Sequence, residues 1–376
     1  MQQMHLEQVS AFVQHVAIKL NQPVIIRGRF GIGKSAITNT VQRLLDNKAA
    51  VEALLGDANK FIKYVVNDDG EVEEREVTLK GCVICDVRLS QYESVDLRGF
   101  PGVNKQTGFT VWHAPSTLPF VGNDEWPDDK IIILFLDEIT SATPPVFSVA
   151  YQLINERRVG EHVLKPNVRI VCAGNREDDQ GVVNRMPMPL CNRLTWVEAI
   201  SDHNVWGEWA QAQGIDPVVI AFIHFKPILL MTYEPKKAEK VVATPRTWEK
   251  AAAYYADSMP DDIKWAAISG AIGEGPAAEF RGFINVWRKV TPIKDIIKDP
   301  EGVPVPEEAS MGYATSVSIS GAMTVKTAGP LYTFLKRMPA EMCVLAWQLA
   351  GKRDPSLYRT PEFMDFTKRY RSVFNI

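Results

Sequence analysis

The sequence has no run of about eighteen consecutive apolar residues, so nothing in it reads as a membrane-spanning helix. Met1 to Leu20 lacks the basic start, apolar middle and small-residue cleavage site of an export signal, which makes the cytoplasm the expected location. A large excess of either charge is missing as well. The 42 Lys and Arg against 45 Asp and Glu leave a net −3, without the basic excess usual in nucleic-acid readers. That average does not exclude a local patch, and Arg157, Arg158, Lys165 and Arg169 form one in sequence. Cysteines number only five. Cys82 and Cys85 have CxxC spacing, but they lie in an apolar run that reads as a strand, where positions three apart face opposite sides. No second Cys pair or Cys/His cluster is near enough in sequence to complete a zinc site, so buried free thiols are expected. His5, His15, His203 and His224 fall in helical or loop contexts that suit packing or solvent. Repeats and low-complexity tracts are also missing, which removes solenoid and propeller architectures.

What is present is an ordinary folded composition, 46% hydrophobic and 23% charged over 376 residues, enough for two or three domains. Leu6 to Leu20 has apolar residues at helical spacing. Short apolar runs at 23–26, 82–87, 131–136, 168–173 and 194–197 alternate with helical stretches, the pattern of a parallel sheet covered by helices on both faces. The segment 61–79 breaks that rhythm. Two β-rich runs flank Asn67-Asp68-Asp69-Gly70, a hairpin signal, and its second run is acidic (Glu71, Glu73, Glu74, Glu76). A solvated surface hairpin is the plain reading and an acidic docking site the alternative. Beyond residue 200 helical patterns dominate to 290. Residues 292–316, rich in Pro, Glu and Gly, read as a linker, and a helical tail follows from about Gly329. The expected division is therefore an α/β domain at 1–200, a helical domain at 201–290 and a C-terminal linker with helical extension at 291–376.

Gly28-Arg29-Phe30-Gly31-Ile32-Gly33-Lys34-Ser35 matches G-x-x-x-x-G-K-[ST] between a strand and a helix that begins at Ala36. Glycines let the backbone fold around phosphates with its N–H groups inward, and the helix start adds the positive end of its dipole. Gly28, Gly31, Ile32, Gly33, Lys34, Ser35 and Ala36 are thus candidate nucleotide-binding residues, Lys34 reaching the β- and γ-phosphates and Ser35 holding Mg²⁺. The plain alternative is a glycine-rich turn with an incidental Lys-Ser. About a hundred residues later, the apolar run from Ile131 ends in Asp137-Glu138. That edge is where open α/β sheets place ligands. Asp137 is a candidate for the Mg²⁺ shell with Ser35, and Glu138 for polarising the attacking water. Val168 to Ala173 is a further apolar run ending at Gly174-Asn175. Asn175 there suits either contact with a γ-phosphate or a simple turn.

In their order these motifs resemble the AAA+ ATPases, and among them the MoxR-like group, which is similar to magnesium-chelatase and dynein-related modules. The resemblance covers about residues 20 to 260. It rests on the phosphate loop, Asp96-Leu97-Arg98-Gly99 with the aromatic stretch Phe109 to Phe120, Asp137-Glu138-Ile139 and Tyr151-Gln152-Leu153-Ile154-Asn155-Glu156. Ala173-Gly174-Asn175, Arg185-Met186-Pro187, Asn192-Arg193-Leu194 and Pro245-Arg246-Thr247-Trp248 complete it. It implies a P-loop NTPase AAA+ core with ATP and Mg²⁺, followed by an α-helical lid. It also implies sensor roles for Asn175 and Arg246, an arginine finger at Arg193 and a second interface arginine at Arg185. A homo-oligomeric ring, usually of six, is implied, acting on a protein client with a separate von Willebrand A-domain partner. Inserts at about 100–120, in the family's second helix, and at 157–166 are implied to meet the client. Arg29-Phe30 stands where relatives carry small residues or proline, and Ile139-Thr140-Ser141 where they often carry Ile-Asn-Arg. A nucleic-acid motor or loader and a nucleotide-gated scaffold with little turnover are the competing functions.

Overall fold

Uninterrupted apolar runs of about seven residues suit strands covered on both faces. The computed structural model describes residues 2–66, 71–179, 184–237 and 239–370, in two units, Met1–Ile200 and Ser201–Ile376.

In the first unit a short strand β1 (Gln3–His5) leads into α1 (Leu6–Phe12). The expected long helix continues, but as a π-helical segment, Val13–Lys19, closed by the Leu20 N–H on the His15 carbonyl at 3.1 Å. Then come β2 (Val24–Gly28), α2 (Lys34–Leu44) and α3 (Lys48–Leu55). β3 (Lys60–Val66) and β4 (Val72–Thr78) pair antiparallel with Tyr64 opposite Glu74. The Asn67 to Gly70 turn of that hairpin lies outside the described residues. β5 (Cys82–Arg88) and α4 (Ser94–Arg98) precede a second hairpin of β6 (Phe100–Val103) and β7 (Thr110–His113). β8 (Ile131–Asp137) and α5 (Pro144–Glu156) follow. A third hairpin of β9 (Arg158–Val159) and β10 (His162–Val163), then β11 (Val168–Gly174), α6 (Met188–Cys191) and β12 (Thr195–Ile200), close the unit.

The large sheet has the order β1-β12-β2-β11-β8-β5, every pairing parallel. All seven residues of β8 and of β11 are buried. On one face Ile25, Leu134, Leu136, Ile170 and Cys172 pack with Val146, Phe147, Ala150, Leu153 and Ile154 of α5. Those α5 positions recur at helical spacing. The parallel sheet between helices is as expected. The added strand β1 was not foreseen, because three residues are too few to show a period. The cysteines are free, and Cys82 and Cys85 are buried, which pushes both thiols up to about 12 and leaves them without nucleophilic thiolate at neutral pH.

The second unit is helical: α7 (His203–Ala212), α8 (Pro217–Phe225), α9 (Pro245–Ala256), α10 (Asp261–Ile272), α11 (Glu274–Trp287), α12 (Ile293–Lys298), α13 (Ala309–Ala322), α14 (Ala328–Leu335), α15 (Ala340–Arg353) and α16 (Pro361–Arg369). The linker expected at 292–316 is corrected here, since it holds α12 and the start of α13. Small residues disguised α13. Gly312 lies so close to Met342 that a Cβ would come within 2.3 Å of its sulfur, and Ala314 and Val317 share a core with Phe222 and Phe280.

His224 is buried in this unit with its ring edge-on to His203, centroids 5.4 Å apart, and its Nε2 has no partner among the described residues. Burial, aided by the His203 charge, pushes His224 down from 6.5 to about 3. A depressed histidine is neutral in the native state, whereas the unfolded chain takes up the proton near pH 6.5, so the stabilisation is complete above that value. It is lost as pH falls towards 3, by about 1.4 kcal/mol per pH unit for one group. Denaturant unfolding between pH 7 and 4, read by tryptophan fluorescence, should show this acid slope in the native chain. A shallower slope is expected in His224→Leu, and equal slopes would remove His224 as its origin.

Candidate active site

The strand order sets which loops meet. β2 lies between β12 and β11, with Arg27 in register with both Gly174 and Glu198. β8 lies on the other side of β11, with Leu136 in register with Cys172. The C-terminal ends of β2, β11 and β8 therefore share one edge, the ligand-binding edge of a parallel sheet.

The loop after β2 can turn only through its glycines. Gly31 and Gly33 have φ of 72° and 99°, in the left-handed region, and a Cβ on Gly28 would fall 2.6 Å from Ile32 Cδ1 and 2.7 Å from the Ala199 carbonyl. α2 starts at Lys34 directly behind Gly33, and Ile32 is buried while Ala36 is exposed on the first turn. Lys34 Nζ donates to the Gly28 carbonyl at 2.7 Å, to the Arg29 carbonyl at 3.0 Å and to Asn175 Oδ1 at 2.8 Å. Ser35 Oγ donates to Asp137 Oδ2 at 3.1 Å, and Asp137 Oδ1 accepts the Glu138 N–H at 2.8 Å. Glu138 itself sits in the left-handed region at φ 54°, an uncommon conformation for a non-glycine residue. Its Oε2 accepts the hydroxyl of Ser90, two residues past the end of β5. Lys34, Ser35, Asp137, Glu138 and Asn175 are thus brought together.

The oxygen set suits a magnesium ion. Ser35 and Asp137 supply hydroxyl and carboxylate oxygens, and such a cation keeps several waters and phosphate oxygens around few protein ligands. Among the described residues no group of three or more His, Cys, Asp or Glu is placed to cage a metal, so protein groups alone do not complete the shell. Asp86, on the neighbouring strand, is pushed up by burial and by the Asp137 charge, so negative potential gathers there.

Other charges frame the site. Glu198 bridges Arg27 at 3.5 Å and Arg176 at 2.6 Å, tying β12 and β2 to the loop after β11. Asp179 is 4% exposed; its Oδ2 accepts the Arg176 N–H at 3.3 Å and its Oδ1 has no partner among the described residues. Burial raises its carboxyl despite Lys34 and Arg29 nearby.

Arg193 is exposed, donating through Nε to Asn155 Oδ1 with its guanidinium 6.0 Å from the Tyr151 ring. Arg185 is exposed on the segment before α6. Arg246 belongs to the second unit, exposed on the first turn of α9 behind the Thr244–Thr247 capping box. The basic cluster noted in sequence is mostly not a surface. Arg169 and Lys165 are buried, Arg169 donating to the Ile18, Pro166 and Val168 carbonyls and Lys165 to the Trp126 carbonyl and Asp128. Arg157 donates to the Val168 carbonyl at 2.8 Å. Groups spent on main-chain oxygens cannot neutralise nucleic-acid phosphates.

No motif in the sequence singled out Ser90, Asp86 or Asp179. Ser90 and Asp86 carried a usable signal, since both lie near the C-terminal end of a run already read as a strand of the sheet.

No protein-family model matches the sequence, and no curated protein does. Among solved structures the chain is similar to NtrX from Brucella abortus in complex with ADP, at 13% identity and a TM-score of 0.35, over 98% of this chain and 67% of that one. The same protein in complex with ATP gives 12% identity and a TM-score of 0.36, over 98% of this chain and 66% of that one. The chain spans about two thirds of the length of these structures.

Proposed function

We propose that the chain is a magnesium-dependent ATPase of the AAA+ kind and MoxR-like type, working as a ring, six-membered by resemblance, that remodels a protein client. The observation that carries the catalytic part is the pairing of Lys34 with Asn175 at 2.8 Å and of Ser35 with Asp137 at 3.1 Å, beside Glu138 on the same sheet edge. Lys34 offers its charge to the β- and γ-phosphate oxygens, and the N–H groups of the glycine loop and the start of α2 cradle the phosphates. Ser35 and Asp137 would hold the magnesium ion, which supplies neutralisation of phosphate charge. Glu138 takes the proton of the attacking water, with Ser90 fixing the rotamer of its carboxylate. Asn175 orients the water or the terminal phosphate.

Arg193 and Arg185 are read as guanidinium groups offered to a neighbouring copy, and their exposure supports that reading. Arg246 is read as a sensor of the nucleotide state. The hairpins β6–β7 and β9–β10 are the proposed client contacts. Phe100 and Phe109 are 62% and 75% exposed, and the Trp112 N–H is held by Glu161 of the other hairpin at 3.1 Å. His113 closes the β6–β7 hairpin opposite Phe100. A von Willebrand A-domain protein is the proposed separate partner.

Phosphate release from ATP by the full chain, with and without magnesium, tests the reading. Arg193→Ala and Lys34→Ala are each expected to be nearly inactive, a trans arginine contributing about 10³–10⁵ in rate. Mixed together they should recover part of the turnover, because each supplies the half the other lacks. Full activity of Arg193→Ala alone removes the trans arginine.

A further inference from the structure

Ile139-Thr140-Ser141, in which Thr140 and Ser141 depart from the resembled family, form a single turn directly behind Glu138. Thr140 is 5% exposed there. Its Oγ1 accepts the Asn175 N–H at 3.1 Å, and its carbonyl accepts the Asn184 N–H at 2.7 Å. Its methyl fills the space beside Gly174, where a Cβ would fall 2.7 Å from Cγ2. Asn175 is the first residue past the end of β11, so its N–H lies beyond the strand's regular ladder. The partner it finds instead is a side chain from the turn that carries Glu138.

We propose that Thr140 is a positioning residue for ATP hydrolysis: by accepting the Asn175 N–H it fixes the spacing between the Asn175 amide and the Glu138 carboxylate. The inference rests on the ATPase reading above. Asn175 Oδ1 is bound by Lys34 and its backbone by Thr140, so the residue is pinned from both sides. The hydroxyl links the loop that faces the terminal phosphate to the turn that places the base. Misplacing a reacting group by about 1 Å can cost on the order of a hundredfold in rate, whereas binding of the α- and β-phosphates depends on the glycine loop and is left alone.

The test separates the oxygen from the methyl. Thr140→Val keeps the shape and the packing on Gly174 but removes the acceptor, and is expected to lower kcat roughly 10–100-fold with KM for ATP within about twofold. Thr140→Ser keeps the acceptor without the methyl and should stay within about threefold of the native kcat. A role in packing alone gives the reverse order, Val harmless and Ser impaired, and overturns the proposal. Binding of a fluorescent ATP analogue on the same samples reports an intact cradle. Should the valine variant not fold, the serine variant decides: native turnover supports the proposal, and a tenfold fall overturns it. A native chain that binds ATP without turning it over defeats the ATPase reading and this inference with it. Native turnover with an unimpaired Thr140→Val defeats this inference alone.

Discussion

Lys34→Ala should weaken ATP binding on the order of a hundredfold. The ammonium donates to the Gly28 and Arg29 carbonyls and to Asn175 Oδ1, so it closes the loop, and in the proposed function it carries the charge aimed at the phosphates. A hydrogen bond to a charged group contributes about 1.5–3 kcal/mol, and each 1.4 kcal/mol is roughly tenfold in affinity. Removing the amine also leaves three acceptors without their donor, which loosens the loop before any nucleotide arrives. Titration calorimetry with ATP and magnesium measures the effect. An affinity within about threefold of the native chain would show that the glycine loop binds something other than a triphosphate, and the proposed function would fall with it.

Glu138→Gln is the complementary case, with binding kept and turnover lost. Glutamine has the same reach and an oxygen that still accepts the Ser90 hydroxyl, so the turn at φ 54° has no new strain to absorb. It cannot take a proton from water, and losing a general base costs about 10²–10⁴ in rate. Single-turnover phosphate release alongside nucleotide retention measures the two halves separately. Undiminished release would remove Glu138 from its role. Absent release from the native chain as well would favour a nucleotide-gated scaffold.

Several parts of this arrangement were readable from the residues. Gly28 to Ser35 needs its glycines wherever the loop binds, and Gly31 and Gly33 do adopt left-handed conformations. The runs ending at Asp137 and Gly174 are short, largely apolar and rich in β-branched residues, which suits covered strands, and both are wholly buried. Other parts were misread for physical reasons. The start of α13 reads as linker because its buried side is built of Gly312, Ala314, Thr315 and Ser316, whose small side chains give no apolar period. Arg157, Lys165 and Arg169 were counted as a basic patch because charge in a sequence carries no record of burial.

Which residues can cradle a phosphate and which strands end in carboxylate or amide is written in the chain alone, because those properties belong to local backbone freedom and to the alternation of apolar runs. That β2 lies beside β11 and β11 beside β8, and hence that Lys34 meets Asn175, Ser35 meets Asp137 and Thr140 meets Asn175, comes from the folded arrangement and not from the order of residues. Those partners are 141, 102 and 35 residues apart in the chain. No short-range pattern encodes such meetings, since parallel strand order is fixed by how whole helices and strands pack around one core.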